Sequence, residues 1–123
     1  MITIIDDDGG VRAALQGLLR SAGLEAEVFP SAEDFLGPSG PRATECLILD
    51  VRMPGIGGVE LQERLMTSGR AIPIIFISSH ADEQVRSLVL ARGAVDFLQK
   101  PFTRDALLRA IARARGMAAL SDP

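Results

Sequence analysis

The sequence predicts an α/β fold: a doubly wound, parallel (βα)5 sheet. Three observations predict it. Short apolar runs alternate with helical patterns along the whole chain. The runs are apolar almost throughout, as strands covered on both faces are. Four of them end on residues that carry chemistry: Ile2–Ile5 runs into Asp6, Asp7 and Asp8, Cys46–Leu49 into Asp50, Ile72–Ile77 into Ser78 and Ser79, and Ala94–Leu98 towards Lys100 and Pro101.

Each element has its own warrant. Ile2–Ile5 reads as a short buried strand. Val11–Ala22 reads as a helix, because Val11, Leu15, Leu18 and Leu19 share one face and Gly23 is a natural stop. Asp8 is placed to cap it. Glu25–Phe29 is more polar and reads as a strand near an edge. Ser31 is a good N-cap, with Asp34 three positions on, for a short helix to about Leu36. Gly37 to Pro41 is a loop rich in Gly and Pro. Glu45–Leu49 is the third strand, and residues 52–58 loop over its carboxyl end. Val59–Ser68 is the third helix, stopped by Gly69. Ile72–Ile77, Asp82–Arg92 and Val95–Leu98 follow as strand, helix and strand. Thr103 caps the fifth helix, which is expected to run to about Arg115.

Right-handed crossovers place helices on both faces of such a sheet. The expected strand order is 2-1-3-4-5, as in flavodoxin-like folds, so strands one, three, four and five present their carboxyl ends together. The expected unit is residues 1–116, with 117–123 a tail or the start of a linker. At 123 residues and 47% hydrophobic composition the chain fits one domain with a real core. The net charge of −3 gives no basic excess for nucleic acid. The single cysteine, Cys46, cannot pair internally and reads as a core hydrophobe. No run approaches the roughly 20 apolar residues that span a bilayer, and no signal peptide is evident. A cytoplasmic location is expected, without membrane contact.

The strand ends carry the functional reading. Asp6, Asp7 and Asp50 would bring three carboxylates together, and their mutual repulsion would destabilise the empty site. A hard cation relieves it, and Mg²⁺ suits carboxylate, carbonyl, water and phosphate oxygens. Without His or Cys at these ends, zinc is disfavoured. The structural alternative for adjacent aspartates is a helix N-cap. Asp50 closes an apolar strand beside the metal and is a candidate nucleophile towards phosphorus, forming an acyl phosphate. Ser78 would donate to a phosphoryl oxygen. Lys100 would pair with Asp50 or a phosphate. Pro101 suggests a constrained Lys100–Pro101 bond, a candidate for the cis form.

With these residues in place, the whole chain resembles the receiver domain of bacterial two-component response regulators, close to the FixJ-like group. The motifs IIDDD, LILDVRMPGIGG, IFISSH and GAVDFLQKPF carry the resemblance. It implies that Asp50 is the phosphoacceptor and that Asp7 binds Mg²⁺ directly. Asp6 would hold it mainly through water, and the backbone carbonyl of Arg52 would be a further ligand. It also implies that Ser78 is the switch hydroxyl, Phe97 the switch aromatic and Lys100 the family's lysine. Phosphorylation would draw the hydroxyl inward, with the aromatic following, and remodel the surface of helix four, strand five and helix five. A sensor histidine kinase would supply the phosphoryl group. Ser at position 78 replaces the commoner Thr, and Gly9-Gly10 stands where Glu-Pro is frequent. Arg52 and His80 occupy variable positions that border such sites and are candidates for tuning phosphate lifetime.

Helix four carries Val85, Leu88, Val89, Leu90 and Ala91, an apolar arc wider than one face needs. Leu88 is expected to face outwards and offers a surface for a phosphorylation-dependent homodimer. Scattered surface apolar residues are the plain alternative. DNA would be reached only through a C-terminal effector domain outside this chain. Two other functions stay open at this point. One is a phosphate-independent interaction module. The other is a haloacid-dehalogenase-type phosphatase, with Asp6 as nucleophile and Asp8 as acid/base; the absence of a cap domain and of an acidic pair after Lys100 weighs against it.

Overall fold

The computed structural model describes residues 1–38, 40, 43–80 and 82–121, the last five as backbone only. Five strands and five helices alternate: β1 (Ile2–Ile5), α1 (Gly9–Ser21), β2 (Ala26–Phe29), α2 (Ala32–Leu36), β3 (Cys46–Asp50), α3 (Gly58–Thr67), β4 (Ile74–Ser78), α4 (Glu83–Ala91), β5 (Asp96–Gln99) and α5 (Arg104–Ser121). The sheet is parallel, in the order β2-β1-β3-β4-β5. This is the expected doubly wound, flavodoxin-like arrangement. None of the described helices is long and apolar enough to cross a membrane.

Side chains alternate across each strand, and both faces of the sheet are covered. Ile2, Ile4, Ile48, Ile75 and Ile77 meet α1 and α5 through Leu15, Leu19, Leu107 and Ile111. Ile5, Leu47, Leu49, Phe76 and Phe97 meet α2, α3 and α4 through Phe35, Leu61, Leu65 and Val89. Two covered faces explain why β1, β3 and β4 are buried at every position. Only β2, an edge strand, is half-buried along its length. Cys46 is fully buried in the first of these cores, and its thiol is pushed up to about 12 by burial.

The caps behave as their residue types require. Asp8 Oδ1 accepts from the backbone N–H of Gly10 and Val11, so α1 opens at Gly9, two residues before Val11. Ser31 accepts from Asp34 N, Asp82 from Val85 N and Thr103 from Ala106 N. Gly23 and Gly69 follow α1 and α3 with φ of 78° and 77°, the left-handed turn that glycine tolerates.

Several other boundaries depart from expectation. β4 begins at Ile74 rather than Ile72: Pro73 has no N–H to give a ladder, although its carbonyl accepts from Leu47 N. Both β3 and β4 include their last polar residue, so Asp50 and Ser78 belong to the sheet rather than to the loops beyond it. The fifth helix passes Arg115 and continues to Ser121. Gly116 does not stop it, because the following Met-Ala-Ala-Leu are good helix formers. Of the loop expected over residues 37–41, Ser39 and Pro41 lie outside the described residues, as do Asp122 and Pro123 of the expected tail.

Candidate phosphoacceptor site

The parallel register brings the carboxyl ends of β1, β3, β4 and β5 into one crevice. Asp6, Asp7 and Asp50 each direct a carboxylate oxygen into a group whose atoms lie within 4.8 Å of one another. Asp6 is fully buried, Asp50 is 8% exposed and Asp7 is open to solvent. Burial pushes the Asp50 carboxyl from 3.8 up to about 6, and the charge of Asp6 adds to the rise while Lys100 opposes it. Three carboxylates at this spacing fit a hard divalent cation. Asp7, the exposed member, is open to a hydrated ion, and Asp6 and Asp50 form the floor.

Lys100 reaches back from the end of β5 and donates to Asp6 Oδ2 at 3.3 Å. Asp50 and phosphate were the partners expected for it; in this state it pairs with Asp6, the most deeply buried of the acids. The Lys100–Pro101 bond is cis. Lys100 N also donates to Ser78 O at 2.7 Å, which ties the lysine to the end of β4.

Ser78 is 2% exposed, and its hydroxyl is occupied within its own loop. Oγ accepts from His80 N and donates to His80 O, both at 3.1 Å. His80 is exposed, and its Nδ1 lies 3.3 Å from Ser79 Oγ. Phe97 is 7% exposed and packs in the core beside Phe76 and Val89.

Three supporting residues escaped the sequence reading. Arg12 donates from Nη1 to Asp6 O at 2.7 Å, fixing the turn that carries Asp6 and Asp7. Glu33 Oε1 accepts from Ile56 N at 3.3 Å and holds the loop after Asp50. Gly55 has a φ of 74°, the left-handed conformation that favours glycine; a Cβ there would lie 2.5 Å from Glu33 Oε2, the movable end of a side chain. Arg52 and Asp82 form an ion pair at 3.7 Å across the mouth of the crevice. No local pattern announces these pairings; Glu33 and Ile56 are 23 positions apart.

Comparison with known proteins decides the family. Residues 2–112 match the response regulator receiver domain. The chain belongs to that family. This receiver domain is 47% identical over 118 residues to the response regulator protein TmoT of Ectopseudomonas mendocina, covering 96% of this chain and 54% of that protein. The response regulator protein TodT of Pseudomonas putida is 48% identical over 118 residues, with 96% and 52% covered. Among solved structures, the response regulator StyR matches with a TM-score of 0.87 at 45% identity, over 96% of this chain and 60% of that one. FixJ-N matches with a TM-score of 0.83 at 36% identity, over 94% and 92%. The receiver domain spans about half the length of the curated relatives. Receiver domains bind Mg²⁺ at an acidic cluster, and Asp6, Asp7 and Asp50 supply one here.

Proposed function

We propose that this receiver domain is a phosphoryl-accepting switch fed by a sensor histidine kinase. The gathering of Asp6, Asp7 and Asp50 at one sheet edge, with Lys100 and Ser78 beside them, carries the reading. An Asp50 oxygen forms the new bond to phosphorus as the bond from phosphorus to the kinase histidine nitrogen breaks. Asp7, Asp50 and the Arg52 carbonyl would hold Mg²⁺ directly, with Asp6 acting mainly through water. The ion would neutralise charge on both the carboxylate and the phosphoryl group. Lys100, already beside Asp6, is within reach of a pairing change when a dianionic phosphoryl group arrives. Ser78 would exchange its bonds with His80 for one to a phosphoryl oxygen, with Phe97 adjusting beneath it. Attack by water ends the signal, so the domain supports its own dephosphorylation and transforms no separate metabolite.

The output reading follows from position. Ser78 ends β4, one short loop before α4, and Phe97 lies in β5, so movement of the pair would alter the surface of α4, β5 and α5. That surface would control a homodimer, with Leu88 in its contact, or an effector that regulates transcription. The names of two relatives, transcriptional regulatory proteins TdiR and FixJ, support that output. DNA would be bound by a C-terminal domain outside this chain. The signalling unit is residues 1–116, with 117–123 leading out of it, and the setting is the cytoplasm.

Intact mass after incubation with acetyl phosphate and Mg²⁺ tests the proposal. One added phosphoryl group is expected, lost in Asp50→Asn and without metal. An adduct that survives Asp50→Asn and disappears in Asp6→Asn would support a phosphatase of the haloacid-dehalogenase type. Failure to take up either phosphoryl or beryllofluoride would leave a phosphate-independent interaction module.

A further inference from the structure

At the opposite end of the sheet from Asp50, a cavity of about 470 Å³ opens between the last turns of α3 and α4. Its volume falls in the range of small-molecule sites. Leu65, Met66, Ile72, Pro73 and Ala94 give it an apolar wall. Two arginines, Arg70 and Arg92, also line it, and no Asp or Glu is among the lining residues. Arg70 is engaged on one side, with its guanidinium 5.5 Å from the centre of the Phe35 ring.

Two polar atoms in this wall are buried without hydrogen-bond partners among the described residues: Gln62 Oε1 and Arg92 Nη1. Gln62 is 2% exposed, and its amide is oriented by donation from Nε2 to Val89 O at 3.1 Å. Oε1 therefore asks for a donor. Arg92 is the C-cap of α4, where a cation is favoured by the helix dipole, yet Nη1 meets no carbonyl. Native proteins rarely leave such groups orphaned. An anion would relieve Arg92 Nη1; Gln62 Oε1 is itself an acceptor, and its donor would be another of the five guanidinium N–H groups rather than the anion.

We propose that this cavity binds a small organic carboxylate with an apolar body. The body lies against Leu65, Met66, Ile72 and Pro73, and the carboxylate is held by Arg92 as its flexible side chain turns from the wall towards the opening. Charge selects the anion, and the apolar wall selects against formate- or acetate-sized ones. The bound molecule joins α3 to the last turn of α4, the helix whose first turn follows the Ser78 loop.

Cyclohexanecarboxylate is a suitable probe, titrated into the ¹⁵N-labelled domain without phosphorylation, so the outcome is independent of the proposed function. Saturable shifts of the Leu65, Ile72 and Ala94 amides are expected. Acetate and cyclohexanecarboxamide should bind at least tenfold more weakly. Arg92→Gln should weaken the probe at least tenfold. Ala71→Phe, at an exposed position in the cavity mouth, should abolish binding with the fold intact. Shifts that fail to saturate, or that are unchanged in Ala71→Phe, overturn the proposal. Equal affinity for the carboxamide overturns its charge component, leaving the arginine without the assigned role.

Discussion

Asp50 sits where its own charge is unwelcome, and that sets a pH dependence. Its carboxyl is raised from 3.8 to about 6 in the fold, so the native state holds this proton more tightly than the unfolded chain. The contribution to stability is therefore full below pH 3.8 and is lost as pH rises through about 6. The loss is on the order of 2–3 kcal/mol. Asp50→Asn should melt at a higher temperature than the parent at pH 7 in EDTA, and the gap should close towards pH 4. A gap that does not change with pH would contradict this account, and added Mg²⁺ should narrow it by binding the parent. Lys100 acts in the other direction. Its side chain is 25% exposed and its ammonium faces a fully buried Asp6. Lys100→Met leaves Asp6 without that cation and should cost on the order of 2 kcal/mol in urea unfolding. Adding Asp6→Asn should recover much of the loss, a coupling that a double-mutant cycle reads directly.

The helices differ in how deeply they are anchored. α5 is an anchor: Leu107, Ala110, Ile111 and Ala114 are buried against β1, β3 and β4. Leu107→Ala should cost about 2–5 kcal/mol, measured by denaturant melts, because the packed sheet cannot collapse into the space. α4 is held more lightly. Val89 is its one fully buried residue, and its first turn depends on the Asp82 cap. Asp82→Ala should cost about 1 kcal/mol and also removes the ion pair to Arg52. Hydrogen exchange should quicken in the first turn of α4 and stay unchanged in α5. Equal acceleration in both helices would show that α4 does not move as a separate unit.

For the molecule as a whole, the proposed homodimer is tested at one exposed apolar residue. Leu88 on α4 is 40% exposed, as the width of the helix's apolar arc suggests. In sedimentation, the beryllofluoride-treated domain should gain mass with concentration, and Leu88→Asp should abolish that gain; a concentration-independent mass in the parent would remove the dimer from the proposal. The sequence alone determined the alternation of elements, the two-faced sheet, its strand order and the gathering of Asp6, Asp7, Asp50, Ser78 and Lys100. The alternation and the two-faced sheet follow from local periodicity and from chirality rules that hold for any chain; the strand order came from the likeness to flavodoxin-like folds, and a polar residue after a buried strand falls at the strand's carboxyl end. Tertiary structure alone decided that Lys100 chooses Asp6, that Ser78 closes on His80, and that Arg12 and Glu33 brace the acidic loops. It also brought Gln62 and Arg92 to the wall of one cavity. These depend on distances of a few ångströms between residues far apart in the chain, where several partners of the same charge compete and only the packed backbone chooses among them.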